Sequence, residues 1–232
     1  VPQQAGDPYF TAAAAAVDAR APEAFAPHAK NVILFVGDGM GIATVTAARI
    51  YAGQKRGLDG ESYRLTMESL PYSAFSKTYS HDAQVADSAS TATALMSGVK
   101  TLSRTLGLRS GVSYGNCAST EGQGTDSIFE IAEAAGLATG IISTARITHA
   151  TPAATYAESA DRNWEDDRVV GGSGCADIGR QLVEWPAGDG FEVVLGGGRA
   201  SLLPASVTDP ETGKPAGARK DGEDLTAIWT AK

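Results

Sequence analysis

Asn31-Val32-Ile33-Leu34-Phe35-Val36-Gly37-Asp38-Gly39-Met40-Gly41 decides the fold class of this chain. Val32 to Val36 is a short, unbroken apolar run, the pattern of a strand buried on both faces and usually paired in parallel. A glycine-rich turn follows, and then a helical stretch through Tyr51. Further along, Ala74 to Ser80 alternates like a strand. Thr91 to Val99 reads as a helix with Ala92, Leu95, Met96 and Val99 on one side. Asp126 can cap a helix whose apolar face is Ile128, Ile131, Ala132 and Ala135. Gly140-Ile141-Ile142-Ser143 and Phe191-Glu192-Val193-Val194-Leu195 are further strands. Helices are expected from Thr151-Pro152 to about Ala160, over Asp177–Glu184, and from Leu225 onward. Ser103–Gly124 and Pro204–Asp221 read as loops. Strands alternating with helices imply an α/β fold with a largely parallel central sheet. Ligands in such folds sit beyond the carboxyl ends of the strands, so the loops at Asp38, His81 and Thr144–Thr151 are the places to look.

Upstream of the first strand, residues 7–26 hold the Ala12–Ala16 run. Alanine favours helix, but few large apolar residues are present to dock one, which suits an arm lying on something else. The expected organisation is a helical arm over residues 1–30 and one α/β domain over 31–232. Composition supports a packed domain, with 43% hydrophobic and 20% charged residues. The net charge of −8 makes nonspecific binding to nucleic acid or anionic membrane a poor expectation. Val1-Pro2-Gln3-Gln4 has neither the basic start nor the apolar centre of a signal peptide, which fits a mature exported chain or a cytosolic one. Cys117 and Cys175 are the only cysteines. They make a poor zinc site, and they read as one disulfide or as two buried thiols.

Three segments carry chemistry. Gly37-Asp38-Gly39-Met40-Gly41 has the spacing G-x-G-x-G, not the G-x-G-x-x-G of a dinucleotide fingerprint. Asp38 would repel a pyrophosphate there. It suits a cation, and the alternative is a tight turn. Asp87-Ser88-Ala89-Ser90-Thr91-Ala92-Thr93-Ala94 places Ser88 at a helix start, where backbone N–H groups and the helix dipole attract phosphate. The plainer reading makes Asp87 or Ser88 an N-cap. Thr148-His149-Ala150-Thr151-Pro152 precedes Asp161-Arg162-Asn163-Trp164. His149 and Thr151 share a side of an extended segment. The fork of Arg162 could hold two phosphate oxygens or form a surface ion pair.

Taken together, these segments resemble the alkaline phosphatases. Gly98-Val99-Lys100, His149-Ala150-Thr151-Pro152-Ala153 and Leu195-Gly196-Gly197-Gly198-Arg199 add to the resemblance, which runs from about Asn31 to the last residue. It is closer to the animal-type branch, with His149 before Ala-Thr-Pro and with Cys117 and Cys175 at that branch's disulfide positions. The resemblance implies a three-layer α/β/α fold and hydrolysis of small phosphate monoesters through a phosphoserine. Ser88 would be the nucleophile and a zinc ligand, Arg162 would clamp phosphate, and Asp38 would bridge the second zinc and the magnesium. Thr151 would ligate magnesium, with His149 and Asp87 behind the ligands.

It also implies two zinc ions and one magnesium ion, an exported location, and a homodimer formed through the Ala-rich arm. The family is usually roughly twice this long, and its remaining zinc and magnesium ligands lie in a C-terminal half absent from these residues. The fold is therefore expected to be incomplete here, with that half supplied elsewhere, possibly as a separate chain. A sulfatase or phosphodiesterase of the same superfamily is the alternative activity, although Asp87-Ser88-Ala89 does not resemble a sulfatase motif. A noncatalytic fragment is the alternative of another kind.

Overall fold

The computed structural model describes residues 1–19, 29–70 and 72–232. In chain order the helices are α1 (Pro8–Asp18), α2 (Ile42–Gln54), α3 (Ser88–Ser97), α4 (Ile128–Ala134), α5 (Ala150–Ala153), α6 (Asp167–Val170), α7 (Ile178–Glu184), α8 (Arg199–Leu202) and α9 (Leu225–Thr230). Strand β1 (Gly140–Arg146) falls between α4 and α5, and β2 (Val193–Gly197) between α7 and α8. The two strands pair in parallel, Gly140 opposite Val193 and Ile142 opposite Leu195. The chain is thus mixed α/β with a small parallel sheet. It forms two compact units, Val1–Phe25 with Thr78–Lys232, and Ala26–Lys77.

The larger unit is built around the sheet and α3. Ala89, Ala92, Thr93 and Met96 are buried on one stripe of α3, at the spacing that keeps residues on one helical face. Small side chains on α3 and α5, including Ala89, Ala92, Ala150 and Ala153, share a core with Ile141, Tyr156, Ile178, Leu182 and Leu106. Phe191 stacks on Trp185 with ring centroids 4.0 Å apart, and closes one end of that core. Gly107 has φ +61°, and a Cβ there would meet the Ala157 carbonyl at 2.3 Å, so the 104–107 segment lies directly on the chain leading to Arg162. α3 ends at Gly98, whose φ of 75° supplies the left-handed cap.

The helix expected over residues 7–26 is present from Pro8 to Asp18, capped by Asp7, and the rest of that stretch lies outside the described residues. No residue of α1 is buried. The segment is anchored instead by Gln4, 1% exposed. Its amide donates to the carbonyls of Ser97 (3.0 Å) and Asp126 (2.8 Å) and accepts from the Asp126 N–H (3.0 Å).

Several expectations are corrected. Residues 31–36 and 74–80 form no strand, and Val32, Ile33 and Phe35 are 84%, 79% and 89% exposed. A strand exists only by hydrogen bonding to a neighbour, and no segment among the described residues pairs with either. The turn and helix after Val36 do form, with Met40 N–H donating to the Gly37 carbonyl at 3.3 Å and α2 starting at Ile42. α4 is capped by Ser127 in a capping box with Glu130, not by Asp126, which is engaged by Gln3 and Gln4. Ile128 and Ile131 of α4 are exposed. The helix expected to reach Ala160 stops at Ala153. Cys117 and Cys175 form a disulfide, Cα–Cα 5.6 Å.

Candidate active site

The site is assembled at the N-terminus of α3. Asp87 is the N-cap of α3, and its Oδ1 accepts from the Ser90 N–H at 3.2 Å and the Ser90 hydroxyl at 2.9 Å. Ser88 is the first residue of the helix, where unsatisfied N–H groups and the positive dipole end gather. Two other segments converge there. Arg162 Nη1 donates to Asp87 Oδ2 at 2.9 Å and to the Ser88 hydroxyl at 2.9 Å. Its Nη2 lies 3.1 Å from His149 Nε2. One guanidinium therefore touches the N-cap carboxylate, the helix-start serine and the histidine before α5.

Electrostatics follow from this geometry. Burial alone would raise the Asp87 carboxyl. The Arg104 N–H, the Arg162 guanidinium and the Ser90 donors outweigh it and hold the group below the usual carboxylate range. Asp87 is thus a fixed negative charge that orients Arg162. Three residues after Arg162 in the chain, Glu165 accepts both prongs of Arg146 at 2.8 and 2.6 Å and the Thr148 hydroxyl at 2.7 Å. Burial works to raise this carboxyl as well, but those bonds and the charge of Arg146 lower it overall.

Of the residues expected from the sequence, Asp87, Ser88, His149 and Arg162 come together. Arg162 is held by the Asp87 carboxylate as well as by the serine, in an ion pair that is mostly buried rather than on the surface. Thr151 is the second residue of α5, half-buried. Asp38 belongs to the other compact unit, in the turn before α2. His81 is hydrogen-bonded through Nδ1 to the Tyr9 hydroxyl at 3.1 Å, in a contact with the arm. His28 lies outside the described residues. Arg104 escaped the sequence reading. Its main chain bonds both Asp87 and Arg162, and nothing in Leu102-Ser103-Arg104-Thr105 signals it.

Residues 29–232 match the alkaline phosphatase family. The chain belongs to that family. It is 47% identical over 208 residues to the tissue-nonspecific alkaline phosphatase isozyme of Gallus gallus, a match covering 87% of this chain and 40% of the relative. It is 45% identical over 211 residues to the membrane-bound alkaline phosphatase of Bombyx mori, covering 88% and 38%. The crystal structure of Thermus thermophilus alkaline phosphatase matches with a TM-score of 0.62 at 31% identity, over 84% of this chain and 33% of that one. The chain spans about two-fifths of the length of the curated relatives it matches. Among the described residues no helix is long and apolar enough to cross a membrane.

The alkaline phosphatase resemblance calls for zinc and magnesium. Among the described residues, no three His, Cys, Asp or Glu side chains gather where they could hold a metal. A catalytic zinc takes three protein ligands, and Asp38, Ser88 and Thr151 offer only oxygen. These residues alone do not fit zinc. Carboxylate and hydroxyl oxygens of that kind are the hard donors that magnesium takes.

Proposed function

We propose that this chain carries the nucleophile half of an alkaline phosphatase, which hydrolyses small phosphate monoesters through a phosphoserine at Ser88. The observation that supports this most is the Ser88 hydroxyl, at the start of α3 and 2.9 Å from an Arg162 nitrogen that also bears on Asp87. A phosphoryl group brought to Ser88 meets backbone N–H donors and a positive dipole end on one side and a planar guanidinium on the other. In the first step the Ser88 oxygen attacks phosphorus. The bond from phosphorus to the ester oxygen breaks, and the alcohol leaves with a proton. In the second step water attacks the phosphoserine. The bond to Ser88 breaks, inorganic phosphate leaves, and the hydroxyl regains its proton. Arg162 holds the equatorial oxygens through both displacements.

Two zinc ions and one magnesium ion would complete the site, as the family resemblance implies: Asp38 and Thr151 would hold the magnesium, Asp38 and Ser88 would contribute to the second zinc, and His149 would stand behind Thr151. The zinc ligands that these residues cannot supply would come from a C-terminal portion, on the same polypeptide or on a second chain. Export, and a homodimer made through the arm at residues 1–30, complete the reading.

The test is Ser88→Ala in the full-length, metal-loaded protein. Quenched reactions with labelled phosphate ester should show the covalent phosphate disappear, with only residual hydrolysis left. Covalent phosphate at full yield in that variant would falsify the assignment.

A further inference from the structure

We propose that Arg104 is a positioning residue for the phosphate site, acting through its main chain rather than through contact with substrate. Among the described residues it is the only non-glycine with a positive φ, at 71°. A non-glycine residue is held there only when its surroundings over-determine it. Both polar groups of its backbone are committed to the site. The N–H donates to Asp87 Oδ1 at 3.1 Å, and the carbonyl accepts from the Arg162 N–H at 2.8 Å. One residue therefore fixes the N-cap carboxylate of α3 and the backbone of the clamp, on residues 75 positions apart.

The side chain braces that conformation. The Arg104 guanidinium lies over the Tyr114 ring, 4.6 Å from its centroid, and the Tyr114 hydroxyl donates to Asp161 Oδ2 at 2.7 Å. Asp161 immediately precedes Arg162. Gly115 N–H also donates to the Ala160 carbonyl at 3.0 Å, so the Tyr114 loop is seated on the same stretch. Just beyond, Leu106 and Ser159 exchange two hydrogen bonds of 2.9 Å, which carry the pairing into the core. If Arg104 relaxed to negative φ, its N–H and its carbonyl could not both keep these partners. Asp87 and Arg162 would then lose their common reference.

This inference rests on the reading of Ser88 and Arg162 as a phosphate site, and the experiment separates the two. In the full-length, metal-loaded protein, inhibition by inorganic phosphate is measured for Arg104→Gly, Arg104→Val and Arg162→Ala, with thermal melts alongside. The first two variants both lose the guanidinium, but only glycine adopts φ near 71° without strain. The inhibition constant should be about tenfold higher for Arg104→Val than for Arg104→Gly, the equivalent of about 1.4 kcal/mol. Equal constants in the two folded variants overturn the role of Arg104. If Arg104→Val does not fold, Tyr114→Phe takes its place. It should raise the constant about threefold, and an unchanged constant overturns the proposal. If Arg162→Ala itself leaves phosphate inhibition unaltered, the functional reading fails instead.

Discussion

Replacing Asp87 by Asn and by Ala should separate its two tasks. Oδ1 takes the Ser90 N–H, the Ser90 hydroxyl and the Arg104 N–H, and Oδ2 takes Arg162 at 2.9 Å. Asparagine keeps an acceptor for the first set but presents an amide donor, not a charge, to the guanidinium. A hydrogen bond to a charged group contributes about 1.5–3 kcal/mol. The Asp87 side chain is 23% exposed, so the lower end applies, about 1.5 kcal/mol. Alanine also removes the cap of α3, a further loss of about 1 kcal/mol. It strands the Arg104 N–H as well, bringing the total to about 3–4 kcal/mol. The assay is urea denaturation of the full-length protein followed from pH 7 to pH 2. The folded Asp87 carboxyl titrates below its unfolded value. Its contribution is therefore complete above pH ~4 and is lost as pH falls through the folded pKa. The gap between parent and Asp87→Asn should shrink over that acid range. Equal losses for Asn and Ala, or a gap that does not change with pH, would show that Asp87 is not the charged keystone described.

Reducing the Cys117–Cys175 disulfide opens a link between residues 58 apart in sequence, worth ~4 kcal/mol as an upper figure from chain entropy. A reductant should lower the midpoint of thermal unfolding, and two free thiols titrating in unreduced, unfolded protein would contradict the pairing. His149→Asp places a carboxylate beside Arg162 and near Thr151, and should tighten magnesium and lessen the dependence of activity on added magnesium. A structure of the metal-loaded parent with a His149 nitrogen ~2.0–2.1 Å from zinc would refute its indirect role. Residues 1–232 produced alone should be inactive on aryl phosphate, low in zinc and prone to aggregate. Val32, Ile33, Phe35, Ile142 and Leu195 are all more than half exposed, and such surfaces associate. A monodisperse, active product with two zinc ions per chain would overturn that expectation.

Local signals in the sequence were legible where local physics decides the outcome. Asp87 before a run of small residues marked the start of α3 correctly, because an N-cap needs only its own helix. The Gly140 and Phe191 segments were recognisable as strands because each finds the other. Asn31–Val36 looks as strand-like as either, but pairing depends on a partner that sequence pattern does not supply. Ile128 and Ile131 failed for a related reason. Apolar spacing shows that a face exists, not what lies opposite it. In the site, Ser88, Arg162 and His149 stood out by residue type. Arg104 did not, because its contribution comes from a backbone angle that glycine would have advertised and arginine conceals.

Gln4 has a consequence for the order in which the molecule is completed during synthesis. Its hydrogen-bond partner at Asp126 lies 122 residues later in the chain. At translation speeds of about 5–20 residues per second, roughly 6–24 s separate the two at the peptidyl-transferase centre. Through that interval the first residues cannot take their final place. The arm can therefore be seated only once α3 and the entrance to α4 exist to receive it, and at that moment β1, β2 and the helices beyond them are still to be made.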